Sequence, residues 1–239
     1  MSKYFRRAMV GVGLIVLLAA CQNLGTKLIF NGAELYYTPR VTSAEAAKLG
    51  AYLVDHKFTD GTRKTLQLDK QGGVYQFRMV AEKPGIERDK TYGEIFQWLG
   101  LDLSERVFGD AKVELHICDQ GMKTLRIFPQ RVLGKKVMVN KSKIYYTSTV
   151  TAQEAQKLSD FLLKNGYNGD EPVIYQLNKK GATYEFLLSV KKGLDQDPKV
   201  ISMMKNLAKA MSKQVFHGAE VDIHLCDEFL HTIRVVIVI

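Results

Sequence analysis

The chain of 239 residues lacks the motifs by which several enzyme classes are identified from sequence. It contains no Gly-rich phosphate loop, no His-Glu-x-x-His helix and no Gly-x-Ser-x-Gly elbow. It also lacks any apolar run of the ~20 residues that a membrane-spanning helix needs. These absences favour a water-facing globular body, and we predict that the protein is not an enzyme.

The charge balance also excludes one class of partner. The formal net charge is +9, from 34 Lys+Arg and 25 Asp+Glu, but the arginines form no clustered stripe. We therefore predict no nucleic-acid partner. The lysines are densest between residues 191 and 213. They are typical of a solvated helix face, and a surface towards anionic lipid or an acidic envelope polymer is the alternative.

The first residues form a pattern of their own. Lys3, Arg6 and Arg7 precede a short apolar run, which ends in Leu18-Ala19-Ala20-Cys21. A basic start, an apolar stretch of about ten residues and small residues before a cut are typical of a secretory signal peptide.

With a cysteine directly after the small pair, residues 1–21 resemble the signal peptide and lipobox of bacterial lipoproteins. The resemblance implies cleavage before Cys21 and a lipid on its sulfur, which anchors the protein to a membrane. Gln22 follows Cys21, and the resemblance then favours the outer membrane, facing the periplasm, over the inner membrane of the cell envelope. The remainder of the chain resembles no characterised family.

That remainder is a tandem duplication. Residues 24–38 return as 133–147 at an offset of 109, and Val41-Thr42-x-x-Glu45 returns as Val150-Thr151-x-x-Glu154. Later matches fall at an offset of 108, among them His116-x-Cys118 and His224-x-Cys226. We therefore predict a signal peptide at 1–20, a lipidated tether at 21–23, and repeat domains at 24–132 and 133–239.

Each copy shows hairpin signals alternating with helix signals. Asn31-Gly32 and Gly72-Gly73 mark tight turns, and Thr42 with Glu45 has capping-box spacing. A second apolar stripe of helical spacing follows in each copy. The sequence predicts an α+β fold of two tandem homologous domains, each ββαββαββ with an antiparallel sheet and two helices on one face.

One strand of each copy carries side chains that can bind a metal or take part in a reaction. Alternation along the strand places Glu114, His116 and Cys118 on the side away from the helices, as it does Asp222, His224 and Cys226 in the second copy. With Cys21 assigned to lipid, Cys118 and Cys226 remain as an even pair in a compartment where disulfides persist.

Four hypotheses fit these two strands. The groups pack and hydrogen-bond at a contact between domains or sheets, or Cys118 and Cys226 form a disulfide, which needs Cα atoms within roughly 7 Å. The third hypothesis is a metal site for zinc or copper, which implies metal or redox handling. The fourth is a Cys-His-carboxylate nucleophile. We otherwise expect no cofactor.

The way the domains dock is a separate expectation. We expect the helix-free faces of the two sheets to pack against each other, and a disulfide would further require equivalent strands to be adjacent. Trp98, the only tryptophan, aligns with Asn206, which suggests a position off the core stripe of its helix. It is either a half-exposed contact residue or a flank of the core. The function predicted from these observations is a non-catalytic binding or structural lipoprotein of the envelope, with an envelope protein or polymer as partner.

Overall fold

The computed structural model describes residues 24–81, 85–167 and 172–237. The predicted signal peptide, the tether and the lipidation site Cys21 lie outside the described residues. Within the described part of the chain, no helix is long and apolar enough to cross a membrane.

The first domain has two hairpins, each followed by a helix, and a final hairpin. In chain order these are β1 (Thr26–Phe30), β2 (Ala33–Tyr37), α1 (Ser43–Asp55), β3 (Thr65–Gln71), β4 (Val74–Val80), α2 (Lys90–Arg106), β5 (Val113–Cys118) and β6 (Thr124–Pro129).

The second domain repeats the same order. Its elements are β7 (Lys135–Val139), β8 (Ser142–Tyr146), α3 (Ala152–Lys164), β9 (Ile174–Lys180), β10 (Thr183–Ser189), α4 (Pro198–Gln214), β11 (Val221–Cys226) and β12 (Thr232–Val236). Single 3₁₀ turns at Ile86–Arg88 and Leu194–Gln196 precede α2 and α4. The predicted α+β class, the tandem domains and the ββαββαββ order are confirmed.

Each domain is built on one six-stranded sheet whose strands lie side by side in chain order. The three hairpins of each sheet pair antiparallel, as predicted. The pairs β2–β3, β4–β5, β8–β9 and β10–β11 are parallel, so each sheet is mixed. The reason is the helix between the two strands of each such pair, since a helical crossover returns the chain to the end of the sheet where the first strand began.

Both helices of a domain cover the same face of its sheet. In the first core, Leu49 and Leu53 of α1 and Phe96 and Leu103 of α2 cluster with Leu115 of β5. The second core is built on the same plan, with α3 and α4 on the second sheet. Within the described residues, the core residues lie between residues 28 and 236.

A polar pin ties the first helix to the sheet in both copies. Thr42 and Glu45 form the predicted capping box, with Thr42 N donating to Glu45 Oε2 at 2.7 Å. The other carboxylate oxygen of Glu45 accepts from the hydroxyl of Tyr75, whose ring stacks on Phe108 at 3.9 Å. The second copy repeats every contact through Thr151, Glu154, Tyr184 and Phe216.

The two pinned carboxylates predict an acid-labile fold. Burial alone would raise the pKa of Glu45, but hydrogen bonds from Tyr75 and Thr42 outweigh it and lower the pKa from 4.5 to about 2. Glu154 is lowered to about 2 for the same reasons. A folded-state pKa below the unfolded value stabilises above the unfolded pKa, and this contribution is lost as the pH falls from about 4.5 to 2.

We therefore expect the Glu45→Gln, Glu154→Gln double variant to lose less stability than wild type when urea unfolding is compared at pH 5.5 and pH 3. The exposed Glu228 offers a control, because Glu228→Gln should keep the wild-type dependence. An equal pH dependence for the double variant and wild type would contradict the role of the pin.

Candidate functional site

The side chains singled out on β5 and β11 point away from the helices, as predicted. Val113, Leu115 and Ile117 of β5 lie in the first core, so Glu114, His116 and Cys118 point to the opposite side. Asp222, His224 and Cys226 of β11 have the same orientation in the second domain, opposite its core residues. The structure thus brings each triplet together within its own domain.

Each triplet is held to the neighbouring strand by a threonine. In the first copy, Thr124 Oγ1 lies 3.3 Å from His116 Nδ1 and 4.0 Å from Cys118 Sγ. In the second copy, Thr232 Oγ1 lies 3.0 Å from His224 Nδ1 and 4.0 Å from Cys226 Sγ. Repetition of the same contacts at the same place indicates a structural unit.

The threonine contact coincides with an irregularity in the sheet. The register shifts between Ile117 and Cys118 in β5, and between Leu225 and Cys226 in β11. A bulge interrupts the backbone hydrogen bonds between the two strands. At that point the threonine side chain contacts the histidine and the cysteine of the neighbouring strand. The other ring nitrogen of His116 lies 3.4 Å from Glu114 Oε2, and burial lowers the pKa of His116. We interpret the His-x-Cys step as a clamp across the bulge within each domain, and of the two thiols Cys226 also lies in the contact with α2 described below.

The disulfide and metal hypotheses find no support in this geometry. Cys118 and Cys226 are both free and buried, and each thiol donates to the carbonyl of the histidine two residues before it. Burial raises the pKa of Cys226. Within residues 24–81, 85–167 and 172–237, no group of three or more His, Cys, Asp and Glu side chains is arranged to hold a metal ion.

The two triplets do not converge because the domains dock differently from our expectation. The outer side of α2, the second helix of the first domain, packs on the helix-free face of the second sheet. Leu101 and Trp98 provide the helix side of this contact. The sheet side consists of Leu133, Tyr145, Ile174, Leu187, Cys226 and Leu230.

The expected contact between two sheets is therefore wrong. The layers run first sheet, first helices, second sheet, second helices, so that a sheet and a helix layer separate Cys118 from Cys226. The physical reason lies on α2, which has an apolar stripe for its own sheet and a second apolar pair, Trp98 and Leu101, on its outer side. Asn206 and Lys209 occupy the matching positions of α4, where both are exposed.

One carboxylate fixes the position of α2 on the second sheet. Glu105 side-chain oxygens accept from Lys136 Nζ at 2.8 Å, from Lys143 Nζ at 2.5 Å, and from the hydroxyl of Tyr145. The Glu105 side chain is only 7% exposed. Burial alone would raise its pKa, but these three hydrogen bonds outweigh it and hold the pKa of Glu105 below its usual value.

The equivalent face of the first sheet has no helix on it in the described part of the chain. We call this surface the open face and define it by Glu34, Tyr36, Gln76, Arg78 and Glu114. All five side chains are partly exposed, and the neighbouring Ile127 is 48% exposed. Where the second sheet presents apolar residues to α2, the open face is polar.

The polar character follows from a few substitutions between the copies. Arg78 stands where the second sheet has Leu187, and Thr65 where it has Ile174. Glu34 replaces Lys143, which reverses the charge, and Glu34 pairs with Lys27 and Arg63 of its own domain. Each of these pairs could be found from the offset of 109 residues, but only the structure shows that they form one surface.

Arg78 is the most unusual residue of the open face. One terminal nitrogen donates to the Met122 carbonyl at 2.6 Å. Its Nε is buried and has no hydrogen-bond partner in the described part of the chain. A buried N–H group without an acceptor costs free energy, and such groups are rare in folded proteins. Because the rest of the Arg78 side chain is partly exposed, we take the open face as the candidate binding surface.

Comparisons with known proteins agree with the duplication. The model of the AF_1994_N family N-terminal domain matches residues 27–127 and again residues 136–235. Neither a curated protein nor a solved structure matches the chain.

The Glu105 contact predicts a sharp difference between two carboxylates of α2. Glu105→Gln should lower the free energy of unfolding by about 2 to 4 kcal/mol, because it leaves two lysines half-buried without their partner. Glu94, which is 38% exposed and lies 3.4 Å from His231, is the matched control. Glu94→Gln should cost under about 1 kcal/mol. Urea unfolding at neutral pH measures both, and equal losses would contradict the buried role of Glu105.

The layer order predicts the state of the cysteines. In the folded body, Cys118 and Cys226 should resist a thiol reagent such as DTNB because both sulfurs are buried. After unfolding in denaturant without reductant, both should react, giving two thiols per body of residues 22–239. A count of zero under those conditions would show a disulfide and contradict the layer order.

Proposed function

The chain belongs to the AF_1994_N family and carries that family's N-terminal domain twice, and we propose that it is a non-catalytic binding protein anchored by lipid in the bacterial cell envelope. In this proposal the open face of the first sheet binds a helix of a partner protein of the envelope. The observation that carries the proposal is the contact inside the chain, in which the same face of the second sheet binds α2.

Anchoring is supported by the amino-terminal sequence. Lys3, Arg6 and Arg7, the short apolar run and Cys21 after two alanines have the order of a lipoprotein signal. Acyl chains on Cys21 would hold the body at the membrane, since two or more chains anchor durably where one does not. Gln22 after the lipidated residue favours the outer membrane, with the body in the periplasm.

Binding without catalysis is supported by what the candidate residues do. Cys118 and its copy are buried, and the ring nitrogens of His116 contact Thr124 and Glu114 of the same hairpin region. These groups are occupied in holding the bulge. A nucleophile and its base would need to face a substrate, which the buried thiol does not.

The kind of partner follows from comparing the two sheet faces. The second sheet accepts Leu101 and Glu105 of α2 with apolar residues and lysines. On the open face, Arg78 replaces an apolar residue, and the Arg78 side chain is partly exposed. A carboxylate on the partner helix would pair with the guanidinium through a charge-assisted hydrogen bond. The partner is therefore a helix with an acidic residue at its centre.

Lipid anchoring is tested with the full chain in a Gram-negative host. Labelled palmitate should be incorporated, and Cys21→Ser should abolish the label and release the protein from the membrane fraction. Cys118→Ser, a buried cysteine outside the predicted lipobox, is the control and should keep both. Label that persists in Cys21→Ser would refute the anchor.

Partner binding is tested by photo-crosslinking in cells of the native host. A photoreactive residue at position 76, on the open face, should give a discrete adduct with an envelope protein. The adduct should disappear in Arg78→Leu, which restores the apolar residue found in the second sheet. A photoreactive residue at Lys205 on the exposed side of α4 is the control and should give no such adduct. An adduct unchanged by Arg78→Leu would contradict binding at this face.

A further inference from the structure

A cavity lies on the helix side of the first sheet, opposite the open face. Its volume is about 200 Å³ and its lining is predominantly apolar. The floor is a single row across three neighbouring strands, formed by Leu66, Met79 and Ile117. Phe58 and two aromatic residues of α2, Tyr92 and Phe96, form the walls.

The second domain fills the same place with its own side chain. Tyr175 stands at the position of Leu66, stacks on Phe186 at 5.3 Å and donates from its hydroxyl to the Tyr167 carbonyl at 3.1 Å. Tyr167 matches Phe58, a wall of the cavity, at the same offset of 109. The tyrosine ring therefore extends across the space that Leu66 leaves open in the first domain. The two copies differ at the feature that creates the cavity.

We infer that this cavity is a binding site for a small neutral apolar molecule, such as a short alkyl alcohol or a single aromatic ring. An engineered apolar cavity of about 150 Å³ is known to stay dry and to bind benzene. A cavity of about 200 Å³ accommodates a body of roughly six to eight carbons on the same scale.

The rim explains why a neutral molecule is favoured over a charged one. Lys64 is the charged residue of the lining, and its ammonium lies 2.7 Å from Asp60 Oδ1. The pair is already neutral, and a ligand carboxylate at Lys64 would be repelled by Asp60. A neutral hydroxyl at the rim leaves this ion pair intact. The site is separate from the open face, so it does not depend on the proposed function.

The experiment uses 1-heptanol as the probe and the body of residues 22–239, which contains all residues of the cores. Titration followed by methyl NMR should be saturable, and the methyl signals of Met79 and Ile117 should shift. Leu188 and Leu225 are the matched residues of the second domain, and their signals should stay in place. Shifts of equal size in both domains, or no saturable shift, would overturn the proposal.

The variant Leu66→Tyr introduces the tyrosine that the second domain has at the matching position. It should weaken heptanol binding at least tenfold and raise the melting temperature of the free body, because the new ring fills the cavity. Undiminished binding in this variant would refute the site. If Leu66→Tyr does not fold, the domain-specific methyl shifts of wild type decide the question alone.

Discussion

The structure depends on helix α2 being buried on two sides. One side packs on its own sheet through residues such as Phe96 and Leu103, and the other packs on the second sheet through Leu101 and Trp98. Burying the Glu105 carboxylate in that second contact costs free energy, which hydrogen bonds from two lysines and a tyrosine offset. This contact sets the order of layers, and the order of layers decides which sheet face is covered and which is open.

Duplication followed by divergence explains which contacts the two domains share and which they do not. The parts that hold a domain together are repeated without change, including the pin of Glu45 and Tyr75 and the clamp of His116 and Thr124. The parts that differ include the outer side of α2, the helix-free faces of the sheets and the core position of Leu66 and Tyr175. The same sheet face is apolar in one copy, where it docks α2, and polar in the other, where we propose that it binds a partner.

Much of the fold could be predicted from the sequence, because it depends on local patterns that occur twice. Capping-box spacing located α1 and α3, and strand alternation placed His116 and His224 away from the cores. The parallel pairs were missed because pairing direction follows from the path of the helical crossovers. The docking was missed because it depends on residues that are not repeated. The alignment of Trp98 with Asn206 indicates that the outer side of α2 makes a contact, but it does not indicate which part of the chain is contacted.

The residues of the candidate site were predicted correctly, but the position of the two triplets relative to each other was not. Each triplet of carboxylate, imidazole and thiol is present, but the two are separated by the layers between them. The open face and the cavity could not be found from one copy alone. Both emerge when a residue of one domain is compared with its match in the other, as with Arg78 and Leu187 or Leu66 and Tyr175, and when packing shows what each occupies.

The docking of α2 on the second sheet is tested most directly by proton NMR of Trp98. It is the only tryptophan of the chain, so the indole signals can be assigned without ambiguity. The account predicts nuclear Overhauser effects between the indole ring and methyl groups of the second-domain cluster against which Trp98 packs, which includes Leu187 and Leu230. An indole ring with contacts to the first domain alone would contradict the order of layers on which the account rests.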